Sequence, residues 1–178
     1  MTQRANPFWR FSLRTWRAAG VQDACLALQE RCGADVNLLL FCAWSARDGR
    51  VLDASSLRCA MDRVADWQST VVAPLRLARR GLKRQAADAV IAGVAAPLRQ
   101  RILELELELE RVEQSLLADL EAQWSPPSHP SAPSQAIAAN MTAYLALLGH
   151  AVRADELAQL ECIARACRAD DATGQAAQ

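Results

Sequence analysis

The segment from residue 103 to residue 110 reads LELELELE, and it forces a choice between a strand and a helix. Strict alternation is the period of a half-buried strand. Leu and Glu are, however, both good helix formers. Apolar residues through the tract also keep the four-and-three spacing of a seam that resembles a coiled coil: Leu98, Ile102, Leu105, Leu109, Val112 and Leu116. We therefore predict a long helix over residues 96–123, with Pro97 in its first turn.

The amino-acid composition favours helices over strands in the whole chain. Its 178 residues include 36 alanines and 24 leucines, but only 19 valines, isoleucines and threonines together. Ala and Leu lose little entropy in helices, whereas β-branched residues favour strands. Hydrophobic residues make up 52% of the chain, so it can bury a sizeable core. The composition predicts an all-α protein, a compact multi-helix bundle with a long helical hairpin.

The most apolar segment, VNLLLFCAW at residues 36–44, follows Asp35 and is apolar nearly all round. A helix of this kind is enclosed by other helices. We expect it to be the central helix of the bundle, with Asp35 as its N-cap. Asn37 is polar within the run, so its amide needs a partner if it is buried. It either ties helices together or contacts a ligand.

Glycines, prolines and capping residues divide the rest of the chain into further helices. Helices are expected over residues 7–19 and 21–32, and another after Ser55 or Ser56, with Asp53 as a rival cap. Pro74 is expected to break or restart the chain, so that a new helix begins near residues 72–74.

The segment SPPSHPSAPS has four prolines and no apolar periodicity, so we predict a linker there. The predicted organisation has four parts: a helical core domain at 1–124, the Pro-rich linker at 125–134, a C-terminal helical pair at 135–169 with helices at 136–148 and 156–168, and a disordered tail at 170–178.

Twenty basic and twenty acidic residues cancel, so any electrostatic role is local. Residues 76–101 carry seven positive charges and one negative, whereas residues 104–121 carry seven negative charges and one positive. In an antiparallel hairpin centred on Pro97, Glu110 would face Arg84 and Glu113 would face Arg80. We expect these charges mainly to set the register of the hairpin, with each exposed pair contributing ~0–1 kcal/mol.

The basic segment also allows a second interpretation, in which its guanidinium groups bind an anion. The candidate binding residues form one set, with the tryptophans as aromatic walls: Asn37, Trp44, Trp67, Arg76, Arg79, Arg80 and Lys83. The expected partner is a protein or an anionic small molecule. Nucleic acid is less favoured, because no helix-turn-helix, zinc-finger or RNA-binding motif surrounds the arginines.

The sequence offers little evidence for catalysis. The two histidines, His129 and His150, lie in the Pro-rich segment and just after a helix-ending glycine, so neither is placed as a general base. No Gly-rich phosphate loop, GxSxG elbow or zinc-binding spacing occurs. We therefore predict no catalytic residue, metal or cofactor. A non-catalytic helical binding or protein-interaction module is favoured, and the alternative is a small-molecule enzyme acting on an anionic substrate in a helical pocket.

The longest uninterrupted apolar run, at residues 38–44, is far shorter than the ~20 residues of a transmembrane helix. Arginines interrupt the N-terminal apolar residues, which leaves no signal-peptide core. A cytoplasmic location without a transmembrane segment is therefore expected. The leucine seam allows both an intrachain partner helix and pairing of two chains, so a homodimer remains one option.

Three stretches carry a family resemblance: FWRFSLRTW, VQDACLALQERCGADVNLLLFCAW, and the spacing from Trp67 through PLRLARRGLK to Lys83. Over roughly residues 7–120 the chain resembles an uncharacterised bacterial family of small all-helical conserved hypothetical proteins. The resemblance implies a bacterial cytosolic helical domain and brings no activity with it.

Overall fold

The computed structural model describes the backbone of residues 6–175 and the side chains of residues 6–167. The described part is all-α, which confirms the predicted fold class, and contains no strand. Its eight α-helices are α1 (Pro7–Arg17), α2 (Val21–Cys32), α3 (Val36–Ser45), α4 (Ala54–Trp67), α5 (Ala73–Gln85), α6 (Ala89–Glu121), α7 (Pro133–Leu147) and α8 (Ala154–Gln175).

Helix α3 is the central helix, as the sequence predicts. Every residue after Val36 in this helix is buried, and α3 packs against α1, α2, α6 and α7. The Asp35 side chain caps α3 by accepting hydrogen bonds from the backbone N–H groups of Asn37 and Leu38, at 2.7 and 3.3 Å. The cap satisfies two of the donors that a helix N-terminus leaves free.

The C-terminal helices share the hydrophobic core with the N-terminal part of the chain. Helix α7 packs on α3, and α8 packs on α2. Met141, Leu145 and Ile163 are completely buried in the cluster that also contains α3. This buried cluster contains residues of both predicted parts. The predicted division into a core domain at 1–124 and a helical pair at 135–169 stays a prediction.

The Pro-rich segment packs on the turn after α3. The backbone N–H of Ser131 donates to the carbonyl oxygen of Gly49 at 2.9 Å, and the Arg50 guanidinium donates to the carbonyl of Ser125. Helix α7 starts inside this segment, because Pro133 occupies its first turn, where a missing N–H costs nothing.

The start of α4 agrees with the rival cap named in the prediction, and the end of α8 lies beyond its predicted position. Helix α4 is capped by Asp53 rather than by Ser55 or Ser56, because the Asp53 carboxylate accepts from the Ser56 N–H at 2.7 Å. Helix α8 continues to Gln175, beyond its predicted end at 168. The disorder expected for 170–178 stays a prediction, and residues 176–178 lie outside the described part of the chain.

Helix α5 begins at Ala73, within the predicted range of 72–74, but Pro74 does not interrupt the helical path before it. A π-helical turn, Gln68–Val72, joins α4 directly to α5. Pro74 lacks an N–H, and its ring crowds the carbonyl four residues earlier. The wider π turn, a common irregularity inside α-helices, relieves this conflict without interrupting the helical path.

The hairpin turn lies earlier than predicted. Helix α6 starts at Ala89, where the Asp88 side chain accepts from the N–H groups of Val90 and Ile91, and Pro97 lies within the helix. The chain therefore reverses at 86–88 instead of at Pro97. A local N-cap and the packing of α5 on α6 outweigh the cost of an interior proline.

None of the helices in the described part is both long and apolar enough to cross a membrane.

Candidate functional site

A cleft of about 570 Å³ opens between α1, α2 and α3 on one side and the α5–α6 hairpin on the other. Four of the seven predicted binding residues line it: Asn37, Arg76, Arg79 and Arg80. Its size falls in the range of about 300–1,000 Å³ that ligand pockets occupy. The tertiary structure thus brings the polar centre of α3 and the basic segment of α5 to one place.

Two of the arginines are held by glutamates of α6. The Arg76 guanidinium donates to a carboxylate oxygen of Glu110 at 2.7 Å, and Arg79 donates to Glu106 at 2.8 Å. Ion pairing between the two charge blocks is therefore present. The predicted register is wrong. Glu110 meets Arg76 instead of Arg84, because the chain reverses at 86–88 and not at Pro97.

Arg80 differs from its two neighbours. It lies exposed at the edge of the cleft and forms no ion pair or hydrogen bond within residues 6–167. A guanidinium offers five N–H donors in a planar fork that matches carboxylate and phosphate oxygens. Arg80 is thus the cleft's available cation, whereas Arg76 and Arg79 are engaged.

The floor of the cleft contains two amide side chains. Asn37 is buried, and its Oδ1 accepts a hydrogen bond of 2.7 Å from the Nε2 of Gln114. This bond joins the centre of α3 to α6, which satisfies the buried polar group as the sequence analysis requires. Asn37 therefore ties helices together and also lines the cleft.

The aromatic wall is formed by Trp9 and Trp16 of α1. Trp44 and Trp67, which were predicted as aromatic walls, do not line the cleft. Trp44 is buried against Phe8, with ring centroids 5.0 Å apart, and Trp67 donates from its indole N–H to the Leu109 carbonyl. The helical spacing of Trp9 and Trp16 does not by itself distinguish a core contact from the wall of a cleft.

Lys83, the last of the predicted residues, lies exposed on α5 and does not line the cleft. It falls one helical turn beyond Arg79, further along the hairpin. This position makes it a useful reference for the effect of a positive charge outside the cleft.

Acidic side chains behind the arginines have raised pKa values. Burial raises the pKa of Glu110 above its ordinary value although Arg76 acts in the opposite direction. Burial, followed by the negative charge of Asp35, raises the pKa of Glu113 to about 9. Gln68 donates a hydrogen bond to Glu113. The Glu113 carboxyl is therefore protonated at neutral pH, which reduces the negative charge beneath the arginines.

Asp35 and Tyr144 complete this buried polar cluster. Burial raises the pKa of each side chain, and the Tyr144 hydroxyl accepts a hydrogen bond of 2.9 Å from the Asp35 N–H.

Within the described residues, no group of three or more His, Cys, Asp or Glu side chains is placed to hold a metal ion. The cleft combines an exposed guanidinium, Arg80, with an apolar wall.

No curated protein and no solved structure matches the chain. A family model does match: the model of the protein of unknown function DUF2390 covers residues 7–117. All residues that line the cleft fall within this range, as the predicted family coverage of about 7–120 anticipates. The chain therefore belongs to the DUF2390 family.

Proposed function

We propose that the protein is a non-catalytic helical binding module that takes an anionic ligand with an apolar body into the cleft. The observation that carries the proposal is Arg80, a cation without a partner among the described residues, at the edge of a cleft with a tryptophan wall. Three arginines and two glutamates line the cleft, a net charge of +1 when all are ionised. The raised pKa of Glu110 shifts this balance further toward the positive.

The apolar wall supports a ligand with more than a charged group. Trp9 and Trp16 face the leucines of α6 across the cleft, and Leu103 and Leu107 are about half exposed there, at 48% and 49%. Covering apolar surface stabilises a complex by about 25 cal/mol per Å² of area removed from water, before the costs of association. A ligand with one anionic end and an apolar body uses both features.

A small molecule is favoured over a protein as the occupant, because the cleft has the volume of a ligand pocket. Nucleic acid is disfavoured, since two of the three arginines already pair with glutamates.

The cytoplasmic location and the bacterial origin remain part of the proposal.

Titration with 8-anilinonaphthalene-1-sulfonate, an apolar ring system with one sulfonate, tests this function. Energy transfer from the tryptophans, of which Trp9 and Trp16 line the cleft, reports binding. The wild-type protein is expected to bind at one saturable site, and Arg80→Gln is expected to weaken it about tenfold, the effect of losing one charge-assisted contact.

Lys83→Gln is the matched control, because it removes the same charge from α5 outside the cleft. It should bind the probe like the wild-type protein. Equal affinities of the wild-type, Arg80→Gln and Lys83→Gln proteins, or no saturable binding, would contradict the proposal.

The alternative is a small-molecule enzyme acting on an anionic substrate, and the raised pKa of Glu110 favours it. A carboxyl whose pKa is raised by burial is better suited to act as a general acid than one with an ordinary pKa. Hydrolysis of 4-nitrophenyl phosphate or of 4-nitrophenyl sulfate that Glu110→Gln abolishes would support this function over simple binding.

A further inference from the structure

We propose that the outer face of α6 pairs two copies of this chain as an antiparallel dimer. We use the name outer stripe for six residues of α6 at successive spacings of four, three, four, three and four: Val94, Leu98, Arg101, Leu105, Glu108 and Val112. This is the heptad spacing with which two helices pair along a seam. The inference is independent of the cleft and of its ligand.

Three of the four apolar members of the outer stripe are exposed, and Val112 is half-buried. Val94, Leu98 and Leu105 are exposed to 51%, 38% and 45%, although α6 is covered on its other side by α5 and, further along, by α1, α3 and α4. Isolated exposed apolar residues are ordinary, but a regular row along one helix is typical of a contact surface.

The two charged members of the stripe have no ion-pair partner within the described chain. Arg101 and Glu108 are both exposed, whereas Glu106 and Glu110 on the inner side of the same helix pair with arginines of α5. Helix α6 thus uses its inner charges to hold the hairpin. Its outer pair of opposite charges, seven positions apart, is available to another helix.

The positions of these charges select one arrangement of two copies. In a parallel pair, Arg101 would face Arg101 and Glu108 would face Glu108, which is repulsive. In an antiparallel pair with a two-fold axis near Leu105, Arg101 of each copy lies beside Glu108 of the second copy. A two-fold contact uses the same patch on both chains, so the outer stripe is complementary to itself.

The same arrangement also brings the apolar residues together. Leu105 lies near the axis, and the Val94 and Leu98 end of one helix meets the Val112 end of the other. Polar residues at seam positions favour one orientation and register over others. The occupant that best fits this face is therefore a second copy of the chain.

Sedimentation velocity over a range of micromolar concentrations tests the dimer with charge reversals. The wild-type protein is expected to dimerise. Arg101→Glu and Glu108→Arg are each expected to raise the dimer dissociation constant at least about tenfold, because each creates two like-charge contacts across the axis. Arg58→Glu, which reverses an exposed charge on α4, should dimerise like the wild-type protein.

An equimolar mixture of Arg101→Glu and Glu108→Arg provides the decisive measurement. A heterodimer of these two variants places opposite charges together at both contacts, so the mixture is expected to recover wild-type dissociation. Misfolded variants would not recover it. A wild-type monomer at all concentrations, single variants that dimerise like the wild type, or a mixture that stays monomeric would each overturn the proposal, as would association of the face with a different protein alone.

Discussion

Glu113 shows how a single residue links the central helix to the hairpin. It is completely buried on α6 and accepts a hydrogen bond from Gln68 of the π turn. An ionised carboxylate at this depth would need a close positive partner. Burial and the nearby Asp35 instead raise the pKa of Glu113 to about 9, so the residue folds as a neutral acid.

Replacement of Glu113 by Gln is expected to remove a pH dependence of stability. The folded protein keeps the Glu113 proton up to about pH 9, whereas the unfolded chain releases it near pH 4.5. Between these values the folded state binds more protons, so wild-type stability falls as pH rises, by up to about 1.4 kcal/mol per pH unit. Urea unfolding at several pH values should show that the free energy of unfolding of Glu113→Gln, relative to that of the wild type, rises toward high pH.

The exposed Glu161→Gln serves as the control for Glu113→Gln, because it makes the same chemical change on the surface. Its stability should follow the wild-type pH profile. Parallel profiles for Glu113→Gln and the wild type would show that Glu113 ionises normally.

At the scale of elements, one glycine of the fold is required by its surroundings and another is not. Gly49 ends the turn after α3 with a φ of 75°, and a Cβ there would collide with the carbonyl oxygen of Ser131. Gly81 lies inside α5, where a Cβ would meet nothing within 4 Å. The two sites therefore predict opposite effects of the same substitution.

Gly81→Ala is expected to stabilise the protein by about 0.5–1 kcal/mol, because Ala loses less backbone entropy in a helix. Gly49→Ala is expected to destabilise it by about 2–4 kcal/mol through left-handed backbone strain and the displaced Pro-rich segment. Thermal unfolding measures both changes. A neutral Gly49→Ala would mean that Ser131 moves aside freely.

At the scale of the whole molecule, the hydrophobic core extends beyond the matched family range. The family model ends at residue 117, yet α7 and α8 contribute large buried side chains to the same cluster as α3: Ile137, Met141, Tyr144, Leu145, Leu160 and Ile163. Asn140 adds a buried bridge, accepting from the Leu52 N–H and donating to the carbonyls of Cys42 and Arg50. The N-terminal part and these helices thus share one hydrophobic core.

A chain that ends at residue 124 is expected to lose cooperative unfolding. Each large buried side chain contributes about 1.5–3 kcal/mol, and the net stability of a domain is about 5–15 kcal/mol. Circular dichroism during heating should show a broad transition for residues 1–124. Addition of a peptide of residues 125–178 should restore a sharp one, and a sharp transition of 1–124 alone would establish an independent core domain.

The candidate site was partly predictable. Asn37 stood out as a polar residue in an apolar run, and Arg76, Arg79 and Arg80 stood out as a basic cluster; all four line the cleft. The walls were not predictable, because an aromatic helix face such as that of α1 can pack inward or line an opening. Which of these occurs depends on the distance to the neighbouring helix, which one sequence does not specify.

Local sequence patterns account for the all-α class, the central position of α3 and the Asp35 cap, because helix propensity, capping and apolar spacing act between residues close in the chain. They did not indicate that Pro74 and Pro97 lie within continuous helical paths or that the hairpin turns at 86–88. The cost of a proline is local, but the packing that outweighs it comes from residues far apart in the chain.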